Sequence, residues 1–225
     1  MKLYTNSGSL GKMVVYHDGT QDYSGEMSWT HLVAKHFNFE DCNYCMNGGS
    51  NHRIARHLLE DDISQYNAFI IGMTPKMRTE YYNGEWIGVR ADTTKQELKE
   101  QWDLYFKEIY SEEGAVVEEK MHYHLIRLLL KETGKPYIIF EGASPLTINW
   151  NYMSQHDFFY KGHFTPAGHQ VIANDLIQRM SSSTPSLATS DVMQCRPPSQ
   201  KYLCLNGQTC GGILYLLKVS KTFLL

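Results

Sequence analysis

Short apolar segments alternate with segments of helical spacing along most of this chain, and this alternation constrains the fold more than any other feature. The segments predicted as strands are residues 2–5, 43–46, 68–71 and 136–140. Predicted helices begin near Ser28 and Ser50 and cover residues 95–110, 116–132 and 166–180. Such alternation is typical of the α/β class. We therefore predict a three-layer sandwich with a parallel sheet.

Small and polar residues follow the first three predicted strands. Ser7, Gly8 and Ser9 follow the first strand, residues 47–51 the second and residues 72–75 the third. In an open parallel sheet, ligands bind beyond the carboxyl ends of the strands. We expect these segments to meet at that edge and to form a site there.

Two residues in this set carry the chemistry of a nucleophile and a base. Ser9 sits at a predicted strand-to-helix turn, where a serine oxygen can project above the sheet edge. His163 lies in the turn before a helix that begins at Pro166, within reach of the same edge. A histidine there can accept the serine proton and return it to a leaving group. Ser7 is a weaker alternative nucleophile, and His169 is expected to pack or face solvent.

These segments together resemble the SGNH (GDSL-type) hydrolase family over roughly residues 2–180. The stretch 7–10, Ser-Gly-Ser-Leu, stands where the family has Gly-Asp-Ser-Leu, and the stretch 160–168 resembles its Asp-x-x-His block. The resemblance implies that the α/β three-layer sandwich has a parallel flavodoxin-like sheet. It also implies an esterase or acetylesterase without a cofactor, with Ser9 as nucleophile and His163 as base. It also implies an oxyanion hole formed by the amides of Ser9 and Gly49 together with Thr74.

The chain departs from the family pattern at three polar positions. Gly8 and Tyr160 replace aspartates, and Thr74 replaces the oxyanion asparagine. We therefore predict a Ser–His dyad, with Asp157 or Glu141 as open candidates for a third member. The alternative is a catalytically impaired domain that binds a glycan or an acylated ligand.

The predicted substrate is a small-molecule or carbohydrate ester, contacted by Asn51, Arg78 and Glu80. Asn51 either caps a helix or faces the pocket. Arg78 and Glu80 either bind a polar or anionic group or form a surface ion pair. Aromatic side chains nearby, at Tyr81, Tyr82 and Trp86, would suit a wall facing a carbohydrate. One combination of motifs resembles divergent SGNH-like proteins of bacteriophages and marine viruses. It consists of Gly-Gly-Ser-Asn at 48–51, Ile-Gly-x-Thr at 71–74, and then Arg78 and Glu80.

Composition argues against several other classes. Lys and Arg number 21 against 24 Asp and Glu, with no basic stripe, so we expect no nucleic-acid partner. The sequence has no run of about 18 apolar residues, so we expect no membrane-spanning helix. Five cysteines without a visible signal peptide favour free thiols and a cytoplasmic location. Cys42 and Cys45 are expected to be small hydrophobes in a buried strand, not metal ligands. Oligomeric state is not indicated.

The last part of the chain changes character. Residues 181–200 are rich in Ser, Pro and Thr, and residues 211–225 are apolar. We predict one SGNH-like α/β domain over residues 1–180, followed by a linker and tail over residues 181–225 without an assigned function.

Overall fold

The structure is a computed structural model that describes residues 1–89, 96–141, 158–160 and 162–182. Its strands are β1 (Lys2–Asn6), β2 (Val14–Val15), β3 (Gln21–Asp22), β4 (Glu40–Asn43), β5 (Ala68–Met73), β6 (Thr79–Tyr82), β7 (Trp86–Val89), β8 (Tyr137–Glu141), β9 (Phe159–Tyr160) and β10 (His163–Phe164). Its α-helices are α1 (Trp29–His36), α2 (Asn51–Glu60), α3 (Gln96–Glu108), α4 (Glu112–Glu132) and α5 (Pro166–Ser182).

The central sheet is parallel and has the order β4-β1-β5-β8. β1 pairs on one side with β4, in the register Leu3↔Asp41, and on the other side with β5, in the register Leu3↔Ala68. β5 pairs in turn with β8. Placing the first strand between the second and the third is the flavodoxin-like order. The predicted α/β class and parallel flavodoxin-like sheet are therefore confirmed.

Helices cover both faces of this sheet, because successive strand residues point to opposite sides. Leu3 and Ile70 pack with residues of α1 and α5 in one buried cluster. Tyr4 and Ile71 pack with residues of α2 and α4 in a second cluster on the other face. Because β1 and β5 have apolar residues at consecutive positions, both faces of the sheet are apolar. A layer of helices therefore buries each face, which gives the three-layer arrangement.

The helices predicted to begin near Ser28 and Ser50 are α1 and α2, and each begins directly after its serine. The Ser28 side chain accepts from the His31 amide at the start of α1, and Ser50 accepts from the Arg53 amide at the start of α2. Each bond satisfies one of the amides that a helix leaves unpaired in its first turn. These N-caps fix where each helix leaves the sheet edge.

The second strand of the sheet was predicted three residues too late. It covers Glu40–Asn43 and not residues 43–46, since the pairing Lys2↔Glu40 sets its start. Polar residues are tolerated because β4 is an edge strand and its side chains are only partly buried. Cys42 therefore lies in the strand half-buried, while Cys45 follows it and is buried.

The segment after β5, to which no strand was assigned from the sequence, contains the antiparallel hairpin β6–β7. Residues 83–85 form its turn, in which the Asn83 amide donates to the Glu85 carbonyl at 2.9 Å and Gly84 has a φ of 76°. Asn-Gly between aromatic segments is a strong hairpin signal, so this element was predictable from the sequence.

No helix in the described part of the chain is both long and apolar enough to cross a membrane. The last described helix, α5, ends at Ser182. Most of the predicted linker and tail therefore lies outside the described residues, and the division at residue 180 stays a prediction.

Candidate active site

The loop after β1 carries the predicted nucleophile. β1 ends at Asn6, and Ser9 opens a one-turn 3-10 helix, Ser9–Gly11, in which the Gly11 amide donates to the Gly8 carbonyl at 3.1 Å. The loop lies close over β5. A Cβ on Gly72 would sit 3.0 Å from the Ser7 side chain, so a glycine in β5 gives the loop its room. The turn is thus held at the carboxyl edge of the sheet.

His163 reaches the same edge on a small antiparallel pair. β9 and β10 pair in the register His163↔Tyr160, and Gly162 makes the turn with a φ of 84°. The Thr165 amide then donates to the Phe158 carbonyl at 3.1 Å, and α5 begins at Pro166. This pair was not anticipated, since two-residue strands leave no periodic pattern.

The two side chains meet although 154 positions separate them in the sequence. Ser9 Oγ lies 2.9 Å from His163 Nε2, within the range of about 2.6–3.2 Å expected of a nucleophile and its base. A neutral imidazole with an unprotonated Nε2 can accept the hydroxyl proton in this geometry. The geometry is thus the one that a serine hydroxyl and a general base require.

The pair faces a cavity of about 230 Å³ at the sheet edge. Its lining is partly polar and partly apolar: Ser7, Gly8, Ser9, Leu10, Met73, Thr74, Pro75, Arg78, Phe159, Gly162 and His163. Leu10, Met73, Pro75 and Phe159 were not predicted as site residues. Leu10 directly follows the segment 7–9, and Met73 and Pro75 lie within the segment 72–75; both segments were expected at the sheet edge. Nothing in the local sequence distinguishes Phe159.

Gly49, predicted to donate its amide to an oxyanion, uses that amide in a turn. Its N–H donates to the Met46 carbonyl at 3.0 Å, and Gly49 is buried and does not line the cavity. A Cβ there would come within 3.1 Å of the same carbonyl. The predicted oxyanion role of Gly49 is therefore unavailable in this conformation, because the donor already has an acceptor.

Thr74 and Asn51, two further predicted site residues, bind each other. The Thr74 amide donates to Asn51 Oδ1 at 2.7 Å, its hydroxyl donates to the same oxygen at 3.1 Å, and Asn51 Nδ2 donates to the Thr74 carbonyl at 3.0 Å. Asn51 is 2% exposed and lies outside the cavity lining. Asn51 thus ties α2 to the end of β5, and the Thr74 hydroxyl proton is committed to it.

Arg78 and Glu80 do not act as a pair. Arg78 lines the cavity, whereas the Glu80 carboxylate accepts from Arg56 Nε at 3.2 Å and its side chain is 7% exposed. Arg56 also lies over the Trp86 ring, 4.5 Å from its centroid. Glu80 and Trp86 therefore hold the β6–β7 hairpin against α2, away from the cavity lining.

The remaining candidates have distinct places. Ser7 is 2% exposed, with its Oγ 3.4 Å from the Gly8 carbonyl oxygen. The Tyr160 ring lies 5.8 Å from that of His17. Asp157 lies outside the described residues, as does the Glu141 side chain. Any third member at those two positions stays a prediction.

His169, expected to pack or to face solvent, is fully buried. Its Nδ1 accepts from the Trp29 amide and its Nε2 lies 3.1 Å from the Met13 carbonyl oxygen. Burial lowers the pKa of His169 to about 4. It is a neutral packing residue behind the site.

No site for a metal ion emerges in the described part of the chain, where no group of three or more His, Cys, Asp or Glu side chains converges. Cys42 and Cys45 are free thiols there. Burial raises the pKa of the Cys45 thiol, which makes it a poor nucleophile and a poor ligand.

Comparison with known proteins gives matches in structure only. No family model and no curated protein matches the sequence. A lipase/acylhydrolase from Enterococcus faecalis aligns over 84% of this chain and 100% of its own, with 14% identity and a TM-score of 0.40. A carbohydrate esterase whose active site is described as having divergent catalytic and non-catalytic binding functions aligns over 81% of this chain and 65% of its own. The identity is 14% and the TM-score is 0.40.

A carbohydrate acetylesterase family member from Sinorhizobium meliloti aligns over 81% of this chain and 98% of its own, with 11% identity and a TM-score of 0.36. Nothing in these comparisons supports the predicted likeness to phage and marine-virus proteins. With such low scores, a function for this chain has to come from the geometry of its own site.

Proposed function

We propose that this protein is a serine hydrolase that cleaves short-chain acyl esters, with Ser9 as the nucleophile and His163 as the general base. The observation that carries the proposal is the 2.9 Å contact between Ser9 Oγ and His163 Nε2. It occurs at a cavity beyond the carboxyl ends of parallel strands, where α/β sheets bind their ligands.

The reaction proceeds in two halves. Ser9 Oγ bonds to the acyl carbon while His163 Nε2 takes its proton, and the carbonyl electron pair moves onto oxygen. The C–O bond of the ester then breaks, and His163 returns the proton to the departing alcohol. Water, deprotonated by His163, attacks the acyl-enzyme in the same way and releases the acid with Ser9 restored.

The proposed catalytic unit is a dyad. Tyr160 stands where the resembled family has an aspartate, and a phenol brings no carboxylate charge to stabilise an imidazolium. The backbone of Tyr160 is paired with that of His163. This pairing fixes the direction in which the His163 side chain leaves the backbone, while Asp157 and Glu141 stay candidates for a third member.

The cavity favours a small acyl group. Its volume of about 230 Å³ is below the range of about 300–1,000 Å³ typical of drug-sized ligands, and apolar side chains such as Leu10 and Phe159 line it. We propose acetyl or similarly short esters of a small molecule or a carbohydrate. Arg78 is the proposed polar contact, whereas Asn51 and Glu80 act through the packing of α2.

Turnover of a short-chain ester by the pure protein tests the proposal. We expect Ser9→Ala to lower kcat by about 10³-fold or more, because it removes the hydroxyl proposed to form the acyl-enzyme. Ser7→Ala should keep turnover and labelling by a fluorophosphonate at Ser9. Equal rates for the wild type and Ser9→Ala would refute the assignment.

A second candidate is a binding module that keeps the pocket but hydrolyses nothing. The observation that favours it is the commitment of the Gly49 amide and the Thr74 hydroxyl to internal acceptors. Removing an oxyanion donor typically costs about 10²–10³ in rate. Measurable glycan binding without fluorophosphonate labelling of Ser9 would favour this reading over hydrolysis.

A further inference from the structure

An ester hydrolase needs hydrogen-bond donors where the carbonyl oxygen becomes an anion, and two of the expected donors here are occupied. The Gly49 amide donates to Met46, and both the amide and the hydroxyl of Thr74 donate to Asn51. The Ser9 amide, first in its 3-10 helix, has no acceptor among the described residues. One amide alone is a poor oxyanion hole.

A cationic donor lies beside that amide. Arg78 lines the same cavity as Ser9 and His163. A Cβ on Gly8, the residue just before Ser9, would sit 3.2 Å from Arg78 Nη1 and 3.4 Å from the Thr74 methyl group. The guanidinium therefore occupies the space next to the nucleophile that a side chain at position 8 would otherwise fill.

We infer that the Arg78 guanidinium, together with the Ser9 amide, stabilises the oxyanion of the tetrahedral intermediate. This inference rests on the proposed hydrolase function. As Ser9 Oγ bonds to the acyl carbon, the carbonyl π pair becomes a lone pair on oxygen, and Arg78 donates an N–H to it without transferring a proton. When the C–O bond of the ester breaks, that pair reforms the carbonyl and the contact weakens.

The chemistry of arginine suits this role. A guanidinium has five N–H donors, so it can keep contacts with the protein while one N–H faces the cavity. Hydrogen bonds from a cation to an anion are roughly twice as strong as neutral ones. Arg78 would thus compensate for the donors committed to Met46 and Asn51.

A different role for Arg78, recognition of a negatively charged substrate, makes a different prediction. An oxyanion donor acts on every ester, because each passes through the same anionic intermediate. A recognition residue acts only on esters that carry a second charge, and chiefly on KM. Two acetyl esters that differ in one charge separate these roles.

The experiment compares methyl 4-acetoxybenzoate with 4-acetoxybenzoate as substrates of Arg78→Gln, Arg78→Lys and the wild type. We expect Arg78→Gln to lose about 10²–10³-fold in kcat on both esters, with KM little changed, and Arg78→Lys to lose less. Arg179→Gln is the matched control, since Arg179 pairs with Asp175 on α5, and it should retain wild-type rates.

Two further measurements separate a catalytic role from a structural one. Thermal unfolding should show Arg78→Gln folded at the assay temperature, and methylguanidine should restore part of the kcat of Arg78→Ala, which a folding defect would not permit. The rate at which a fluorophosphonate labels Ser9 should fall in parallel, because that adduct develops the same oxygen charge.

The outcomes distinguish the inference from the function beneath it. The inference is overturned, and the hydrolase function kept, if Arg78→Gln retains Ser9-dependent hydrolysis of both esters. The same holds if Arg78→Gln loses activity only on 4-acetoxybenzoate. Absence of both turnover and labelling in the wild type overturns the two together.

Discussion

The most crowded residue behind the site is Gly168, in the first turn of α5. A Cβ at this position would lie 2.0 Å from the carbonyl oxygen of Phe158, an atom of the backbone that leads into β9. The Gly168 amide also donates to Thr165 Oγ1 at 3.2 Å. The absence of a side chain lets α5 pack against the segment that carries His163.

Gly168→Ala should therefore destabilise the protein by about 1–3 kcal/mol, the usual cost of forcing atoms into a packed site. Because the backbone that must move leads into β9, which pairs with the strand that carries His163, we also expect slower ester turnover. Denaturant unfolding and kcat are the measurements. Gly88→Ala is the control, since a Cβ there meets nothing within 4 Å; an equal loss in both variants would contradict the crowding explanation.

Asn51 shows how one buried residue holds two elements together. Its side chain makes three hydrogen bonds to Thr74, which join the start of α2 to the end of β5. We expect Asn51→Ala to cost about 3 kcal/mol, because it leaves the amide and carbonyl of Thr74 buried without partners.

Urea unfolding measures the Asn51→Ala effect. Leu59→Ala, on the exposed side of the same helix, should change stability by no more than about 0.5 kcal/mol. A comparable loss in both variants would mean that the hydrogen bonds from Asn51 to Thr74 contribute no more to stability than an exposed side chain of α2.

At the scale of elements, His169 joins α5 to the start of α1 and to Met13, the residue before β2. The Trp29 amide can only donate, so His169 Nδ1 accepts and the ring proton sits on Nε2, facing the Met13 carbonyl. Protonating Nδ1 would break the first bond inside the core. Burial accordingly lowers the pKa of His169 from 6.5 to about 4.

This histidine should make stability depend on pH. Between pH 4 and 6.5 the unfolded chain binds a proton there that the folded protein does not, so stability falls as the pH decreases through this window. The shift in pKa corresponds to about 3 kcal/mol in the free energy of unfolding.

Thermal unfolding across this range should show that the stability of His169→Gln depends less on pH than that of the wild type. His36→Gln, on the surface, should keep the wild-type slope; an unchanged slope in His169→Gln would refute the assignment.

At the scale of the whole molecule, the two buried clusters share one sheet. Ile70 faces the cluster with α1 and α5, and its neighbour Ile71 faces the cluster with α2 and α4; both are fully buried. Because one strand carries both residues, neither cluster can lose its packing without disturbing the other.

We therefore expect Ile70→Ala and Ile71→Ala each to destabilise the entire domain by about 2–5 kcal/mol in a single transition. Coincident unfolding curves from tryptophan fluorescence and far-UV circular dichroism check this. Leu128→Ala, 55% exposed on α4, should unfold close to the wild type. A biphasic curve in either isoleucine variant would show that the two faces unfold separately.

Local patterns predicted the frame of this protein well. The apolar run in β5, the serine caps of α1 and α2 and the glycine-rich strand ends are decided by residues near one another in the chain. Where pairing with a distant strand decided the outcome, as for β4 and for the two-residue strands β9 and β10, sequence periodicity missed the element or shifted it.

By itself, the sequence determined the α/β class and the segments that follow the strands of a parallel sheet, because hydrophobic period and turn chemistry are local. Only the tertiary structure decided which of the predicted site residues are already paired with other residues of the chain. Gly49 with Met46, Thr74 with Asn51, and Glu80 with Arg56 are hydrogen-bonded pairs. Two of these pairs join separate elements, and a buried donor takes whichever acceptor the folded chain brings within about 3 Å of it.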